Sequence, residues 1–392
     1  MASTPDSALG DLVVVDFTRV LAGPLATMLL ADYGATVIKV ERPGGGDDTR
    51  SWGPPHDAAG TATYFLSVNR NKRSIALDLA DPGDLEVARE LAGRADVVVE
   101  NFRPGVMDGF GLGYDTLAAA NPRLVYCSIT GFGRGKGARM PAYDLLLQAL
   151  GGLMSITGPP ESEPQKVGVA LVDVIAGLFA TTGILAALRH RDGGGDGQRI
   201  EVDLLSALLA ALVNQAAAHT AGGVVPERMG NRHPSIAPYE LLATARGEIV
   251  VAVGNDRQFA ELCRVLEVPE LAGDQRFATN DQRVGNRSAL RALLESALAA
   301  APASDWVAPL LEAGVPAGEV NDIEGAFALA ERLGLGPIVT LGDPGAGSVR
   351  LPRNPVRMSA TPARHETAPP ELGELDADAA GELIERLRSE AA

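Results

Sequence analysis

Between Val167 and Ala186 the chain reads VGVALVDVIAGLFATTGILA, and one carboxylate, Asp173, stands in an otherwise uncharged run of apolar and small residues. A buried carboxylate is costly unless donors or cations hold it. Residues 174–190 are apolar nearly all round, the pattern of a buried helix, which puts Asp173 at the helix N-terminus. Free backbone N–H groups and the helix dipole favour an anion there. An N-cap alone accounts for one Asp so placed. A second set of chemically useful residues sits in four loops that mix glycine with cations: FTRVLAGP, ERPGGGDDTR, ENFRPG and TGFGRGKG. Backbone N–H groups and arginines are what an anionic ligand needs.

These loops follow strands. Leu12 to Val15 is an apolar run ending at Asp16, a helix is expected from Leu25 to Tyr33, and Thr36 to Glu41 is a second strand. The unit repeats as strand Ser74–Leu77, helix Pro82–Arg94 and strand Asp96–Val99, then a helical turn at Tyr114–Ala120 and strand Leu124–Ile129. Continuous Val and Ile runs alternating with helices predict an α/β fold with a parallel sheet covered on both faces. Ligands in such sheets bind beyond the carboxyl ends of the strands, where the four loops lie. Further on, a helix is expected over Ala142–Leu153, a strand over Arg199–Val202 and an apolar helix over Ser206–Thr220. The texture changes at Gly222, and a smaller α+β domain is expected with a strand at Gly247–Val253 and helices near 257–266, 288–300 and 303–313. Short strands near 347–351 and 356–359 and a charged helix, Ala377–Ser389, close the chain. The expected domains are 1–221, 222–325 and a C-terminal return, 326–392, to the larger one.

The chain has 392 residues with 34 basic and 50 acidic side chains, a formal charge of −16. That balance argues against nucleic acid or an anionic membrane surface as partner, so a polyanionic ligand must be met by a local basic pocket. No signal-peptide pattern opens the chain, and the run Val174–Leu188 ends in Arg189, His190, Arg191 and Asp192, so no membrane span is expected. Cys127 and Cys263 lie far apart in apolar surroundings and read as reduced residues of a cytoplasmic protein. Five scattered histidines give no metal site. The glycines of GFGRGKG are not spaced as a dinucleotide fingerprint, and Lys136 does not precede Ser or Thr as in a phosphate-binding P-loop.

The segments DFTRVLAGPLATMLLADYGATVIKVERPGGGDDTR, NRNKRSIALDL, VVVENFRPG, TGFGRGKGARMPAYDLLLQALGG, GDGQRIEVDLLSA and GNRHPSIAPYE, taken together and in order, resemble the class III CoA-transferases, the CaiB/BaiF family. The resemblance implies a Rossmann-like large domain built from both ends of the chain, an inserted small domain, and two chains interlocked as a homodimer. It makes Asp173, in GVALVDVIAG, the nucleophile. A carboxylate there would exchange coenzyme A between an acyl-CoA and a carboxylic acid through a mixed anhydride and an aspartyl-CoA thioester. No resident cofactor is implied; the CoA thioester is substrate. Val20 and Ala22 would line the thiol end of the CoA channel, Arg42 the nucleotide end and Leu77 the adenine pocket, with Asn101, Phe102 and Arg103 beside the pantetheine arm. Without the resemblance Val20 and Leu77 are core residues and Arg42 a surface cation. The loop 131–137 and Gly168 are candidate oxyanion donors.

The same fold carries α-methylacyl-CoA racemases, in which a His precedes the Asp of the segment that here reads PAYDLLLQA. Tyr143 stands in that place. A free tyrosine titrates near pH ~10, a poor match to proton shuttling at neutral pH, so transfer is favoured over racemisation and over a non-catalytic acyl-CoA-binding relative. Formyl-CoA:oxalate transferases carry Gln where this chain has Leu21, and a glycine run that is absent between 224 and 262. That points away from oxalate and toward a more apolar acyl group. Asn231, Arg232 and His233 either reach a substrate carboxylate or pin their own loop, the second being expected.

Overall fold

Six short runs rich in β-branched residues line up as one parallel sheet. In a computed structural model, which describes residues 7–342 and 348–391 and side chains as far as 385, these are β1 (Val13–Asp16), β2 (Thr36–Glu41), β3 (Lys72–Ala76), β4 (Val97–Glu100), β5 (Val125–Thr130) and β6 (Arg199–Asp203). Their order is β3-β2-β1-β4-β5-β6, and every pairing is parallel. This is the doubly wound order, and its direction reverses between β1 and β4, where the connections diverge and leave a crevice. The loops after β1 and β4, FTRVLAGP and NFRPG, therefore face each other across that crevice.

Helices cover both faces of the sheet, as the unbroken Val and Ile runs require. They are α1 (Ala22–Asp32), α2 (Pro82–Arg94), α3 (Asp144–Leu150), α4 (Leu171–Asp192) and α5 (Leu204–Ala211); α6 (Val213–Thr220) follows α5 and buries none of its residues. On one face Val14, Val37, Val97 and Val99 pack with Ala26 and Leu30 of α1 and Ala176, Ala180 and Ile184 of α4. On the other, Val13, Val15, Ile38 and Val98 pack with Ala88 and Leu91 of α2.

The chain divides into two compact units. One takes the described residues of 1–153, 166–224 and 336–392; the other is 154–165 with 225–335. Against the expected 222–325, the smaller unit thus runs ten residues further and gathers 154–165 as well. It holds an antiparallel sheet of β7 (Tyr239–Ala243), β8 (Glu248–Ala252) and β9 (Ala317–Glu319), in that order. Helices α7 (Asp256–Val265), α8 (Arg287–Leu298) and α9 (Ala303–Glu312) bury Leu262, Leu294 and Leu310 against Leu242, Ile249 and Val251. In the larger unit β10 (Ile338–Leu341) pairs with β11 (Val349–Pro352), and α10 (Ala377–Ala391) lays Ala380 and Ile384 on the face that α2 covers.

Several expectations need correction. The expected strand at 347–351 is Val349–Pro352, and residue 347 lies outside the described residues. No strand forms at 356–359, because the buried Asn354 side chain takes the Val356 N–H and turns the chain. The apolar stretch 206–220 is two helices that meet at Leu212, where Val213 adopts φ 43°. Helix α4 is long and apolar enough to cross a membrane by length and composition, contrary to the expectation from its charged end. It is not buried all round: Val172, Ala176, Ala180 and Ile184 are enclosed, while Leu178 and Phe179 are exposed.

One glycine sets how closely α1 and α4 approach. A Cβ at Gly177 would lie 2.6 Å from the carbonyl oxygen of Ala22 and 3.3 Å from Leu25. Gly177 is one turn beyond Asp173, so this contact seats the first turn of α1 beside the second turn of α4, next to the turn that carries Asp173. Gly177→Ala gains about 1 kcal/mol of helix propensity. Overpacking against backbone that cannot rotate away costs about 1–3 kcal/mol and wins. The variant is expected to melt below the wild type, with reduced turnover, in a thermal denaturation and a steady-state assay.

Candidate active site

The crevice at the sheet's switch point encloses about 490 Å³, within the usual range for a small-molecule site. Its walls come from the loop after β1 (Arg19, Val20, Leu21, Ala22), the loop after β4 (Asn101, Phe102, Arg103), the glycine loop after β5 (Gly131, Gly133, Gly137), Tyr143 and Asp173. Seven of the nine residues singled out from the sequence are thereby brought together: Val20, Ala22, Asn101, Phe102, Arg103, Tyr143 and Asp173. Arg42 and Leu77 are not among the lining residues. Arg42 is exposed, bound to Asp48 and the Gly46 carbonyl, and Leu77 is buried in the apolar layer beneath α2. Gly168 is exposed and does not line the crevice either.

The loop after β1 is held by charges that see no solvent. Lys39 donates to the Thr18 carbonyl at 2.8 Å and to Asp47 at 3.0 Å, and both side chains of the ion pair are fully buried. Asp47 also accepts the Val20 N–H at 3.3 Å, fixing Val20 at φ 72°. That backbone region is costly for a β-branched side chain, about 1–3 kcal/mol, and persists only where the surroundings over-determine it. From the other side the Asn101 amide accepts the Arg19 N–H at 2.9 Å and donates to the Arg19 carbonyl at 2.7 Å. Asn101 therefore spends its polar groups on the loop. Lys72, beside the exposed Arg73 in sequence, is buried on Asp16 at 3.0 Å and on the Pro24 carbonyl at 2.9 Å. Burial works against the charge of Asp16, but Lys72 and then Lys39 overcome it and hold the acid down at about 2.

Asp173 is treated differently. It is not the N-cap of α4: the cap is Ala170, which offers no side-chain bond, and Asp173 lies in the first turn. It is also not alone, because the Asp144 carboxylate reaches across from the first turn of α3 and accepts the N–H groups of Val172 at 2.8 Å and Asp173 at 3.3 Å. No ion pair to Asp173 is found among the described residues. Burial, and then the Asp144 charge, push the Asp173 carboxyl up from 3.8 to about 7. Tyr64 shares this environment: burial and then the charges of Asp173 and Asp144 push its phenol up to about 12. Asp144 was noted in the sequence only as the residue after Tyr143, and Gln148 and Tyr64 not at all. The spacing of Asp144 and Gln148, four apart on one helix, hints at a pair, but its targets lie 28 residues further on.

Tyr143 precedes α3 and is mostly exposed at the crevice wall. No histidine lines the crevice among the described residues, so the second proton-transfer group of a racemase is missing there. In the smaller unit, the His233 ring packs on Tyr239 at 5.2 Å, its Nδ1 accepts the Ser235 N–H, and Arg232 donates to the Met229 carbonyl. These bonds pin their own loop.

The sheet order and the crevice define a doubly wound α/β protein with an under-compensated carboxylate at its switch point. The chain belongs to CoA-transferase family III, whose model matches residues 9–375. It is 43% identical over 386 residues to the succinate–glutarate CoA-transferase of Agrobacterium fabrum, covering 96% of each chain. It is 42% identical over 364 residues to the acetyl-CoA:oxalate CoA-transferase of Acetobacter aceti, covering 92% of each. The crystal structure of a CaiB/BaiF family protein from Brucella suis superposes with a TM-score of 0.83 at 43% identity, over 98% of this chain and 99% of that one. The protein is a CoA-transferase, moving CoA from an acyl-CoA thioester to a carboxylic acid.

A raised carboxyl is a stability statement. Asp173 titrates near 7 when folded against an ordinary 3.8, so between those values the folded state holds a proton that the unfolded state has lost. The contribution of this group to stability therefore falls as pH rises through that window. Asp173→Asn is expected to melt higher than the wild type at pH 8, with the difference shrinking toward pH 4, in thermal denaturation followed by circular dichroism.

Proposed function

We propose that Asp173 is the nucleophile of this transfer. The observation that carries the proposal is a largely buried carboxylate, pushed up to about 7, in the wall of a crevice shared with Arg19, Arg103 and a glycine loop. An Asp173 oxygen attacks the acyl carbon of the donor thioester, and the carbon–sulfur bond breaks to give a mixed anhydride and CoA thiolate. The thiolate attacks the aspartyl carbonyl, releasing the donor acid as carboxylate and leaving an Asp173–CoA thioester. The acceptor carboxylate attacks that thioester carbon and re-forms an anhydride. The thiolate then takes the acceptor's acyl group and frees Asp173. Each step exchanges one activated acyl bond for another of similar energy, which is what a covalent route offers. Backbone N–H groups of the loop 131–137, in the crevice wall, are candidate donors for the developing oxyanions, except Gly133, which gives its own N–H to the Thr130 hydroxyl.

The substrates fitting this reading are short dicarboxylic acids and their CoA esters. Relatives at about this identity carry names for succinate, glutarate and oxalate exchange, and Arg19 and Arg103 bring two guanidinium groups to the crevice. A cation suits a second carboxylate, which outweighs the apolar preference inferred from Leu21 alone. Leu145, Leu146 and Leu150 of α3 and Leu178 and Phe179 of α4 are exposed apolar side chains on two helices of the same layer. Together they call for cover, and a second copy of the chain, interlocked with the first, is the cover the family resemblance implies. The reaction is read as cytoplasmic, with α4 a core helix and neither membrane nor nucleic acid as partner.

Incubation with succinyl-CoA and glutarate is expected to give glutaryl-CoA, and intact mass spectrometry a CoA adduct on Asp173. Asp173→Ala is expected to lose exchange by several orders of magnitude; full activity in that variant would sink the mechanism. Because only the ionised carboxylate attacks, kcat/KM for the donor is expected to rise with pH through about 7 and level off above it.

A further inference from the structure

Helix α4 opens on apolar residues, and its own cap position, Ala170, has no side chain able to accept its N–H groups. The first backbone donors of a helix must go somewhere. The nearest anion in sequence is Asp173 itself, in the first turn, and an acidic side chain there ordinarily relaxes onto the free N–H groups and the positive end of the dipole. In this protein those donors are already taken. Asp144 Oδ1 accepts the N–H of Val172 at 2.8 Å and of Asp173 at 3.3 Å.

Asp144 is itself fixed. Its Oδ2 accepts from Gln148 Nε2 at 2.6 Å, one turn further along α3. Gln148 is fully buried, and its Oε1 accepts the Val167 N–H at 2.9 Å, at the start of the segment that leads into α4. The pair therefore grips the chain at Val167, Val172 and Asp173, on both sides of the turn that aims the carboxylate. Asp144 and Tyr64 are the titratable groups whose charges couple to Asp173; Arg19, Asp48, Arg103 and Tyr143 are the others in the crevice wall.

We infer that Asp144, locked by Gln148, is the positioning residue of the nucleophile: it caps α4 from outside the helix, so that Asp173 is held at the crevice wall with its carboxylate left without backbone donors. The consequence is chemical. A carboxylate stripped of hydrogen bonds and facing a like charge is a higher-energy, more basic anion, and gains more by bonding to an acyl carbon. Asp144 thus keeps the ground state reactive while its cap keeps the geometry exact to within a hydrogen bond. This rests on Asp173 being the nucleophile.

Two variants separate the charge from the cap. Asp144→Asn keeps an oxygen for the Val172 N–H and removes the charge. Its kcat/KM is expected to level off at lower pH than the wild type, the acid limb moving toward the ordinary carboxylate range, with most of the plateau rate kept. Asp144→Ala removes both, and its plateau kcat is expected to fall about 10²-fold, as for a misplaced reacting group, with KM for the donor little changed. An acid limb that stays in place in Asp144→Asn, or a wild-type kcat in Asp144→Ala, overturns the proposal. If Asp144→Ala does not fold, by circular dichroism, the limb of Asp144→Asn decides alone. The wild-type CoA adduct is measured alongside: an adduct on Asp173 with an unmoved limb overturns the role of Asp144 only, whereas no adduct on Asp173 overturns the nucleophile itself.

Discussion

Asp16, Lys39, Asp47 and Lys72 are four charges without solvent, and the working end of the larger unit hangs on them. Asp16 ends β1, Lys39 lies within β2, Asp47 follows β2 and Lys72 opens β3, and their side chains converge beneath the loop after β1. Removing one partner of such a buried pair leaves an uncompensated charge and costs about 3–5 kcal/mol. The structure keeps them because each does a second job: Lys39 and Lys72 reach the carbonyls of Thr18 and Pro24 on either side of the loop that carries Val20 and Ala22. That loop could not otherwise hold a β-branched residue at positive φ.

Two carboxylates of the same unit show how neighbours decide what an acid is for. Asp16 and Asp173 are both withdrawn from water, and burial raises both. Two lysines and two threonine hydroxyls surround the first, so it stays ionised and structural. The second meets only another acid, so its pKa climbs to about 7. The first is spent on holding the crevice in shape, the second on being unstable in it.

The larger unit was largely legible because its signals are local and continuous. The Val and Ile runs of β1, β4 and β5 declare buried parallel strands, and the strand-end loops then have only one end of the sheet to occupy. Asp173 stood out for the same reason, as a charge in apolar company. What could not be read were relations between distant segments. Nothing in the neighbourhood of Lys72, next to the exposed Arg73, shows that Asp16 lies under it. The role of Asp144 was not legible, because its partners follow after an intervening loop and turn. Arg42 and Leu77 were placed by resemblance alone, and neither lines the crevice. The split at Leu212 and the missing strand near 356 turn on single backbone or side-chain choices that periodicity does not register.

The missing side chain at Gly177 has a mechanical consequence. With the Ala22 carbonyl filling the space a Cβ would take, the first turn of α1 and the second turn of α4 are geared together. The wall bearing Val20 and the wall bearing Asp173 cannot separate independently; they behave as one fixed jaw. Opening of the crevice then either moves that jaw as a unit or involves the loops after β4 and β5 that face it.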